Sequence, residues 1–164
     1  MNRSMLVQGI LLTAAFVGQI IVTIFTYASA PYDWLQNIGW LILYLSALFG
    51  WWPIFTLRRW GQVTEGRGYI HTQTVVDRGP YAIVRHPQYL SGILLAIGVA
   101  LLSQHGIAAL LGLIGAGMTV AGIRHEEAGN VEKFGEAYLA YAERVPQLNM
   151  FAGIYRLIKR RMNR

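Results

Sequence analysis

Long apolar runs without charge alternate with polar segments along this chain. Residues 4–27 and residues 34–57 form the first two runs, each of 24 residues without a charged side chain. At a rise of about 1.5 Å per residue, a helix of that length crosses the hydrocarbon core of a bilayer with some tilt. The pattern therefore predicts two transmembrane helices in the first third of the chain, with Pro53 bending or ending the second.

Two further apolar runs lie close together in the second half of the chain. Residues 89–102 and residues 106–123 are separated by only three residues, which predicts a tight helical hairpin. The first of these runs, with 14 residues, is short for a full span and is expected to tilt or to begin in the headgroup layer. In the second, a stripe of small residues predicts close helix packing; its members are Ala108, Gly112 and Ala116.

The polar segments show a different organisation. Residues 58–88 are rich in glycine and arginine and are too long for an idle connection in so small a protein, which indicates a functional segment. After residue 123, apolar positions recur at intervals of 3, 4, 3 and 4, which predicts an amphipathic helix; they are Val131, Phe134, Tyr138, Tyr141 and Val145. A second, basic amphipathic stretch, with Phe151, Ile154, Leu157 and Ile158 on one face, is typical of a helix on a membrane surface.

These elements predict an all-α integral membrane protein with about four transmembrane helices and C-terminal amphipathic helices on the cytoplasmic side. We expect one membrane domain over residues 1–164, divided into two N-terminal spans (1–57), a loop with the candidate site (58–88), the helical hairpin (89–123) and the amphipathic helices (124–164). A cleaved signal peptide is the rival interpretation of the first run, because Ala28, Ser29 and Ala30 resemble a cleavage site. The run is too long for that interpretation.

The distribution of charged residues predicts the orientation of the helices in the membrane. Only 13% of the residues are charged, against about 25% in soluble domains, and the net charge is +6. With four spans and both ends on one side, all 14 Lys and Arg residues fall on that side, including Arg3 and Arg164. The positive-inside rule then places both termini in the cytoplasm, and we expect a multi-pass protein of a prokaryotic inner membrane. Anionic lipid headgroups are the expected partner of these charges, rather than nucleic acid.

Candidate chemistry lies in two polar segments that the hairpin brings side by side. The first, residues 79–89, offers the donors Arg85 and His86, the aromatic faces of Tyr81 and Tyr89, and Pro87 at the start of a helix whose free N–H groups favour an anion. The second, residues 124–127, offers the acceptors Glu126 and Glu127. S-adenosylmethionine carries a carboxylate, an ammonium, a sulfonium and hydroxyls that match these groups. A dinucleotide matches nearly as well, and a basic cluster facing headgroups is the plainer alternative.

The sequence indicates no disulfide, no metal site and no dinucleotide-binding loop. The chain has no cysteine, which excludes disulfides and thiolate metal sites, and no spacing of histidines predicts a metal. Gly66-Arg67-Gly68 follows no strand, so it does not indicate a dinucleotide loop.

The two segments resemble a known enzyme family. Gly79-Pro80-Tyr81, the string Arg85-His86-Pro87-Gln88-Tyr89, the pair Glu126-Glu127 and residues 134–138 together resemble the isoprenylcysteine carboxyl methyltransferases, and phospholipid methyltransferases share much of the pattern. The resemblance covers roughly residues 58–146. It implies a membrane-embedded, S-adenosylmethionine-dependent methyltransferase without a Rossmann domain, acting on a lipophilic acceptor: an isoprenylcysteine-type carboxylate or a phospholipid-type amine.

The resemblance also implies site residues. The cofactor-binding residues would be Gln73, Thr74, Val75, Val76, Tyr81, His86, Pro87, Gln88, Tyr89 and Glu126. The catalytic, acceptor-side residues would be Arg85, Arg124 and Glu127, although the family's arginine aligns nearer Gly122 than Arg124. For an amine acceptor, Glu126, Glu127 or His125 would assist deprotonation. Two alternatives remain: an NADPH-dependent membrane reductase resembling the sterol reductases, and a non-catalytic membrane module.

Overall fold

The part of the chain that the structure describes is helical and contains no strand. The structure, a computed structural model, describes residues 3–162 and the side chains of residues 6–162. In chain order the helices are α1 (Arg3–Thr26), α2 (Asp33–Trp60), α3 (Pro87–Ser103), α4 (Gly106–Phe134), α5 (Glu136–Arg144) and α6 (Met150–Met162). Short 3-10 turns lie at Tyr27–Ser29 and Gly79–Ala82. The prediction of an all-α membrane protein is confirmed.

Three of the described helices are long and apolar enough to cross a bilayer. The candidate spans are Leu6–Ser29, which includes the 3-10 turn after α1, Asp33–Trp60 and Gly106–Phe134. The apolar helix Pro87–Ser103 is shorter, as its sequence predicted. The orientation of the helices in the membrane stays a prediction. The terminal positions 1–2 and 163–164, and with them the predicted place of Arg164, lie outside the described residues.

The first of two compact units comprises the chain up to Leu48 together with Ser91–Gly122. Its helices approach closely at small residues: a Cβ added at Gly39 would lie 3.0 Å from the carbonyl oxygen of Gly98. Two serines also bond reciprocally, because each hydroxyl of Ser46 and Ser91 donates to the other's carbonyl oxygen, at 2.9 and 2.8 Å. Small side chains and interhelical hydrogen bonds are the contacts that hold helices together in lipid.

The predicted small-residue stripe of α4 is part of this packing. An added Cβ at Gly112 would overlap the side-chain amide of Gln19 and lie 3.2 Å from the carbonyl oxygen of Ala96. The Gln19 amide nitrogen donates to that same carbonyl oxygen at 2.8 Å, and the Gln19 side chain is fully buried. The stripe therefore makes room for a buried hydrogen bond between α1 and α3.

We expect Gly112→Val to destabilise the detergent-solubilised protein by about 1–3 kcal/mol, because the new side chain must displace Gln19. Gly117→Val is the matched control on the same helix, since a Cβ there meets nothing within 4 Å. Thermal unfolding of both variants measures the effect. Equal midpoints for the two variants would contradict the packing described for Gly112.

The second unit comprises Phe49–Leu90 and the chain from Ile123 onward. Its core is formed by Tyr138, Tyr141 and Val145, with Val75 packed against them. The Tyr141 hydroxyl donates to the carbonyl oxygen of Tyr81 at 2.8 Å. The loop between α2 and α3 is thus attached to α5 at its Gly79–Ala82 turn.

Two expectations about helix ends were wrong. α4 does not stop at residue 123 but continues to Phe134, so Glu126 and Glu127 lie on it. The amphipathic helix predicted over residues 131–145 is interrupted at Gly135, whose φ of 54° suits glycine, and α5 begins only afterwards. Of the two outcomes expected for Pro53, bending or ending the helix, the second is excluded because α2 runs on to Trp60.

Candidate functional site

A cluster of charged and polar side chains lies where α3 begins and α4 passes beside it. The His86 side chain is 1% exposed, and its two ring nitrogens face two different carboxylates. Nε2 lies 3.0 Å from Oε1 of Glu127 in a hydrogen bond, and Nδ1 lies 3.4 Å from Oε1 of Glu126. Arg85 completes the cluster, with Nη2 2.9 Å from Oε1 of Glu127. The predicted juxtaposition of the two polar segments is therefore present in the structure.

Backbone hydrogen bonds fix the position of this cluster. The N–H of Arg85 donates to the carbonyl oxygen of Pro146 at 2.9 Å, and the N–H of His86 donates to that of Gln147 at 3.2 Å. Pro87 then begins α3, where its missing N–H costs nothing. The segment after α5 thus holds the start of α3 in place.

A cavity of about 330 Å³ lies beside the cluster, and we call it the α4 cavity. Ligand pockets commonly measure about 300–1,000 Å³, so this space suits a small molecule. Its lining combines one carboxylate, one guanidinium, several neutral polar groups and aromatic rings; the residues are Leu57, Ile70, Thr72, Thr74, Val75, Val76, Tyr81, Arg85, Gln88, Glu126, Asn130, Phe134 and Tyr138.

Many of the residues that the sequence singled out line this cavity. They are Thr74, Val75, Val76, Tyr81, Arg85, Gln88 and Glu126. Thr74 to Val76 come from the loop before the Gly79–Ala82 turn, and the Gln88 side-chain amide donates to the Tyr69 hydroxyl at 3.3 Å.

The remaining predicted residues lie elsewhere. His86 and Pro87 are buried and support the wall instead of lining it. The ring of Tyr89 packs edge-on against His86, with centroids 5.4 Å apart. The Gln73 side-chain amide donates to the Thr64 hydroxyl at 2.8 Å. Glu127 is engaged in the cluster, and Arg124 is exposed on α4 and outside the wall; neither lines the cavity.

The structure adds wall residues that the sequence analysis did not assign. Asn130 and Phe134 follow Glu126 at intervals of four, so all three share one face of α4. That spacing was visible in the sequence, but it carried no weight because the helix was expected to end at residue 123. Leu57, Ile70 and Thr72 had no local signal, since only the fold of the loop brings them to the cavity.

The phenols in the wall are neutral. Burial, and then the negative charge of Glu126, raise the pKa of Tyr81 well above its usual range. Burial, and then the charge of Glu127, raise the pKa of Tyr138 to about 12. Both hydroxyls therefore stay protonated and can donate hydrogen bonds at any physiological pH.

Two buried donors in this wall have no partner of good geometry within the described protein. They are the hydroxyl of Tyr138 and Nε of Arg85. Buried polar groups are normally hydrogen-bonded, so these two donors favour a ligand that offers hydrogen-bond acceptors. With the Glu126 side chain 45% exposed as an acceptor, the cavity suits a ligand that carries both an anionic group and a cationic or hydroxyl group.

The amino-acid sequence matches a known protein family and two curated relatives. The model of the family described as phospholipid methyltransferase matches residues 34–137. Protein-S-isoprenylcysteine O-methyltransferase B of Arabidopsis thaliana is 27% identical over 122 residues, which cover 69% of this chain and 58% of that protein. Protein-S-isoprenylcysteine O-methyltransferase of Xenopus laevis is 30% identical over 139 residues, which cover 74% of this chain and 45% of that protein.

The chain thus spans about half the length of these curated relatives. No solved structure gives a significant match. The family match includes α3, α4, all of α2 after its first residue, and nearly all residues of the α4 cavity. Because the matched segment is more than half of the chain, the protein belongs to the phospholipid methyltransferase family.

Proposed function

We propose that this protein is an S-adenosylmethionine-dependent methyltransferase that acts on a lipophilic acceptor at the cytoplasmic face of a prokaryotic inner membrane, with the α4 cavity as its cofactor site. The observation that carries the proposal is the lining of this cavity. A carboxylate on Glu126, an unpartnered donor on Arg85 and the neutral phenols of Tyr81 and Tyr138 surround a space of about 330 Å³. Membership of a methyltransferase family supports the same assignment.

The chain's residues have distinct roles in this proposal. Glu126 would accept hydrogen bonds from the ammonium group or the ribose hydroxyls of the cofactor, and Nε of Arg85 would donate to its carboxylate. The rings of Tyr81 and Phe134 would offer faces to the adenine and the sulfonium. When bound, the cofactor supplies a methyl carbon that its sulfonium has already activated. The protein contributes orientation of the acceptor and exclusion of water.

The contacts of Glu127, one of the three candidate bases, support one class of acceptor over the other. An amine acceptor must lose a proton before it attacks, whereas a carboxylate acceptor needs no base. Glu127 already accepts from His86 at 3.0 Å and pairs with Arg85 at 2.9 Å, and both contacts make it a poor base. We therefore favour an isoprenylcysteine-type carboxylate, which is also what the names of the two relatives describe. Arg124, exposed on α4, is proposed as a residue on the acceptor side.

One pair of titrations tests the cofactor. The purified protein in detergent is titrated with S-adenosylhomocysteine and, separately, with NADPH in a calorimeter. We expect saturable binding of the first and none of the second. Binding of NADPH alone would indicate a membrane reductase, and binding of neither would indicate a non-catalytic module; each result overturns the proposal.

The acceptor is tested with a labelled methyl group. Transfer from S-adenosylmethionine to farnesylcysteine in mixed micelles is compared with transfer to phosphatidylethanolamine. We expect base-labile label in the prenylcysteine, as a methyl ester gives. Label in the phospholipid alone would support methyl transfer but refute the carboxylate acceptor.

A further inference from the structure

A second cavity, of about 490 Å³, lies in the same unit as the α4 cavity, and we call it the arginine cavity. Its lining residues are Asp77, Arg78, Gly79, Ala82, Arg144, Leu157, Arg160 and Arg161. None of them lines the α4 cavity. The loop before α3 contributes to both spaces, because Thr74 to Val76 face the α4 cavity and the next three residues face the arginine cavity.

The charges around the arginine cavity do not balance. Four guanidinium groups share one carboxylate, that of Asp77. Nη2 of Arg144 lies 3.8 Å from this carboxylate, and both side chains are about half exposed, so the pair is weak. The guanidinium of Arg78 lies 4.2 Å from the centre of the Trp60 ring, a contact that holds the charge in place without neutralising it.

One hydrogen-bond donor of Arg160 has no partner within the described protein. Its Nε donates to the carbonyl oxygen of Arg156 at 3.3 Å, but its Nη2 is shielded from solvent and has no hydrogen-bond partner in the described protein. A buried charged donor without a partner is costly unless a ligand satisfies it. A guanidinium group can donate two parallel hydrogen bonds to the oxygens of a phosphate group, so a phosphate suits a cavity lined by four arginines.

The exposed apolar side chains of α6 indicate where such a phosphate comes from. Large apolar side chains are exposed there, at 40–79% of their surface, and share one face of the helix; they are Phe151, Ile154, Tyr155, Ile158 and Met162. Leu157, which the sequence analysis placed on this apolar face, instead lines the arginine cavity together with Arg160 and Arg161. An amphipathic helix with a basic side and an exposed apolar side lies in the headgroup layer with its apolar face toward the acyl chains. The cavity beside it would then be level with lipid phosphates.

We propose that the arginine cavity binds the phosphate of an anionic membrane lipid. The lipid would anchor α6 and the loop at Asp77 and Arg78 to the membrane surface. This inference goes beyond the proposed methyl transfer and does not depend on it, because the two cavities share no lining residue among those described.

The test compares two double variants of α6 that remove the same charge. Arg160→Gln with Arg161→Gln removes two guanidinium groups of the cavity, and Arg156→Gln with Lys159→Gln removes two exposed charges that do not line it. Native mass spectrometry of the full-length protein in neutral detergent measures the dissociation constant of phosphatidylglycerol, with phosphatidylcholine and inorganic phosphate as separate probes. We expect saturable binding of phosphatidylglycerol, weakened at least about tenfold in the cavity variant and by less than about twofold in the control.

Three results would overturn the proposal. Equal losses in both double variants would show general attraction to a basic helix. Binding of phosphatidylcholine as tight as that of phosphatidylglycerol would show no selection for an anionic lipid. Inorganic phosphate that binds as tightly as the lipid would identify a site for free phosphate. If the cavity variant aggregates on gel filtration, Arg144→Gln on α5 replaces it, with an expected loss of about fivefold and the same criteria.

Discussion

Replacing Glu126 by glutamine is expected to weaken binding of S-adenosylhomocysteine by about 10- to 100-fold, since a hydrogen bond to a charged group contributes about 1.5–3 kcal/mol. Glutamine keeps the size of the side chain but removes the negative charge that faces the α4 cavity. Glu126 is 45% exposed, so the free energy of unfolding should change little. Isothermal titration calorimetry in detergent measures the affinity, and thermal unfolding measures the stability.

Glu132→Gln is the matched control for this variant. Glu132 lies on α4 as well, is exposed, and does not line the cavity. Its affinity for S-adenosylhomocysteine should stay within about twofold of the parent's, because distant surface charges interact weakly. An equal loss in both variants would show that Glu126 acts only through the net charge of the helix, and no loss in either would remove it from the cofactor site.

Replacing His86 by alanine is expected to reduce both stability and affinity. The change removes a fully buried ring that faces both glutamates, and it leaves Glu127 with Arg85 as its remaining charged contact. We expect a loss of about 2–4 kcal/mol in the free energy of unfolding, from the empty space and the lost hydrogen bond together. The affinity for S-adenosylhomocysteine should fall about tenfold, because Glu126 and Arg85 lose the group that positions them.

The two measurements distinguish His86 from Glu126. Substitution of a positioning residue lowers both stability and affinity, whereas substitution of a ligand-contacting residue lowers affinity alone. His71→Ala is the control, since His71 is an exposed loop histidine that does not line the α4 cavity. If His86→Ala kept the stability of the parent while losing all binding, His86 would contact the ligand directly and the geometry described for the wall would be wrong.

The core of the candidate site was open to prediction from the sequence. A loop of three residues between two apolar runs forces the segments at their far ends to meet, and His86 does contact Glu126 and Glu127. Sequence could not say which of the adjacent residues face the cavity and which support it. That choice depends on contacts with a distant part of the chain, because the N–H groups of Arg85 and His86 donate to the carbonyl oxygens of Pro146 and Gln147.

The arginine cavity, in contrast, could not be predicted from the sequence. Its four guanidinium groups come from positions 78, 144, 160 and 161, which no periodic pattern connects. Each of them looks like an ordinary basic residue beside a membrane. Close packing of α6 brings them together: the Cβ that any other residue would carry at Gly153 would collide with the carbonyl of Ile83. The sequence shows a glycine at position 153 but does not indicate that it packs against Ile83.

The sequence by itself determined that this is a helical membrane protein and which segments are long and apolar enough to cross a bilayer, because burying apolar length in lipid is a local property of each run. It also indicated the pairing of the two polar segments, since a short connection leaves little freedom. Only the tertiary structure decided that α4 carries Glu126, Asn130 and Phe134 on one wall, that His86 supports that wall, and that a second, basic cavity exists. These features depend on contacts between residues far apart in the chain, and such contacts follow from packing instead of from local pattern.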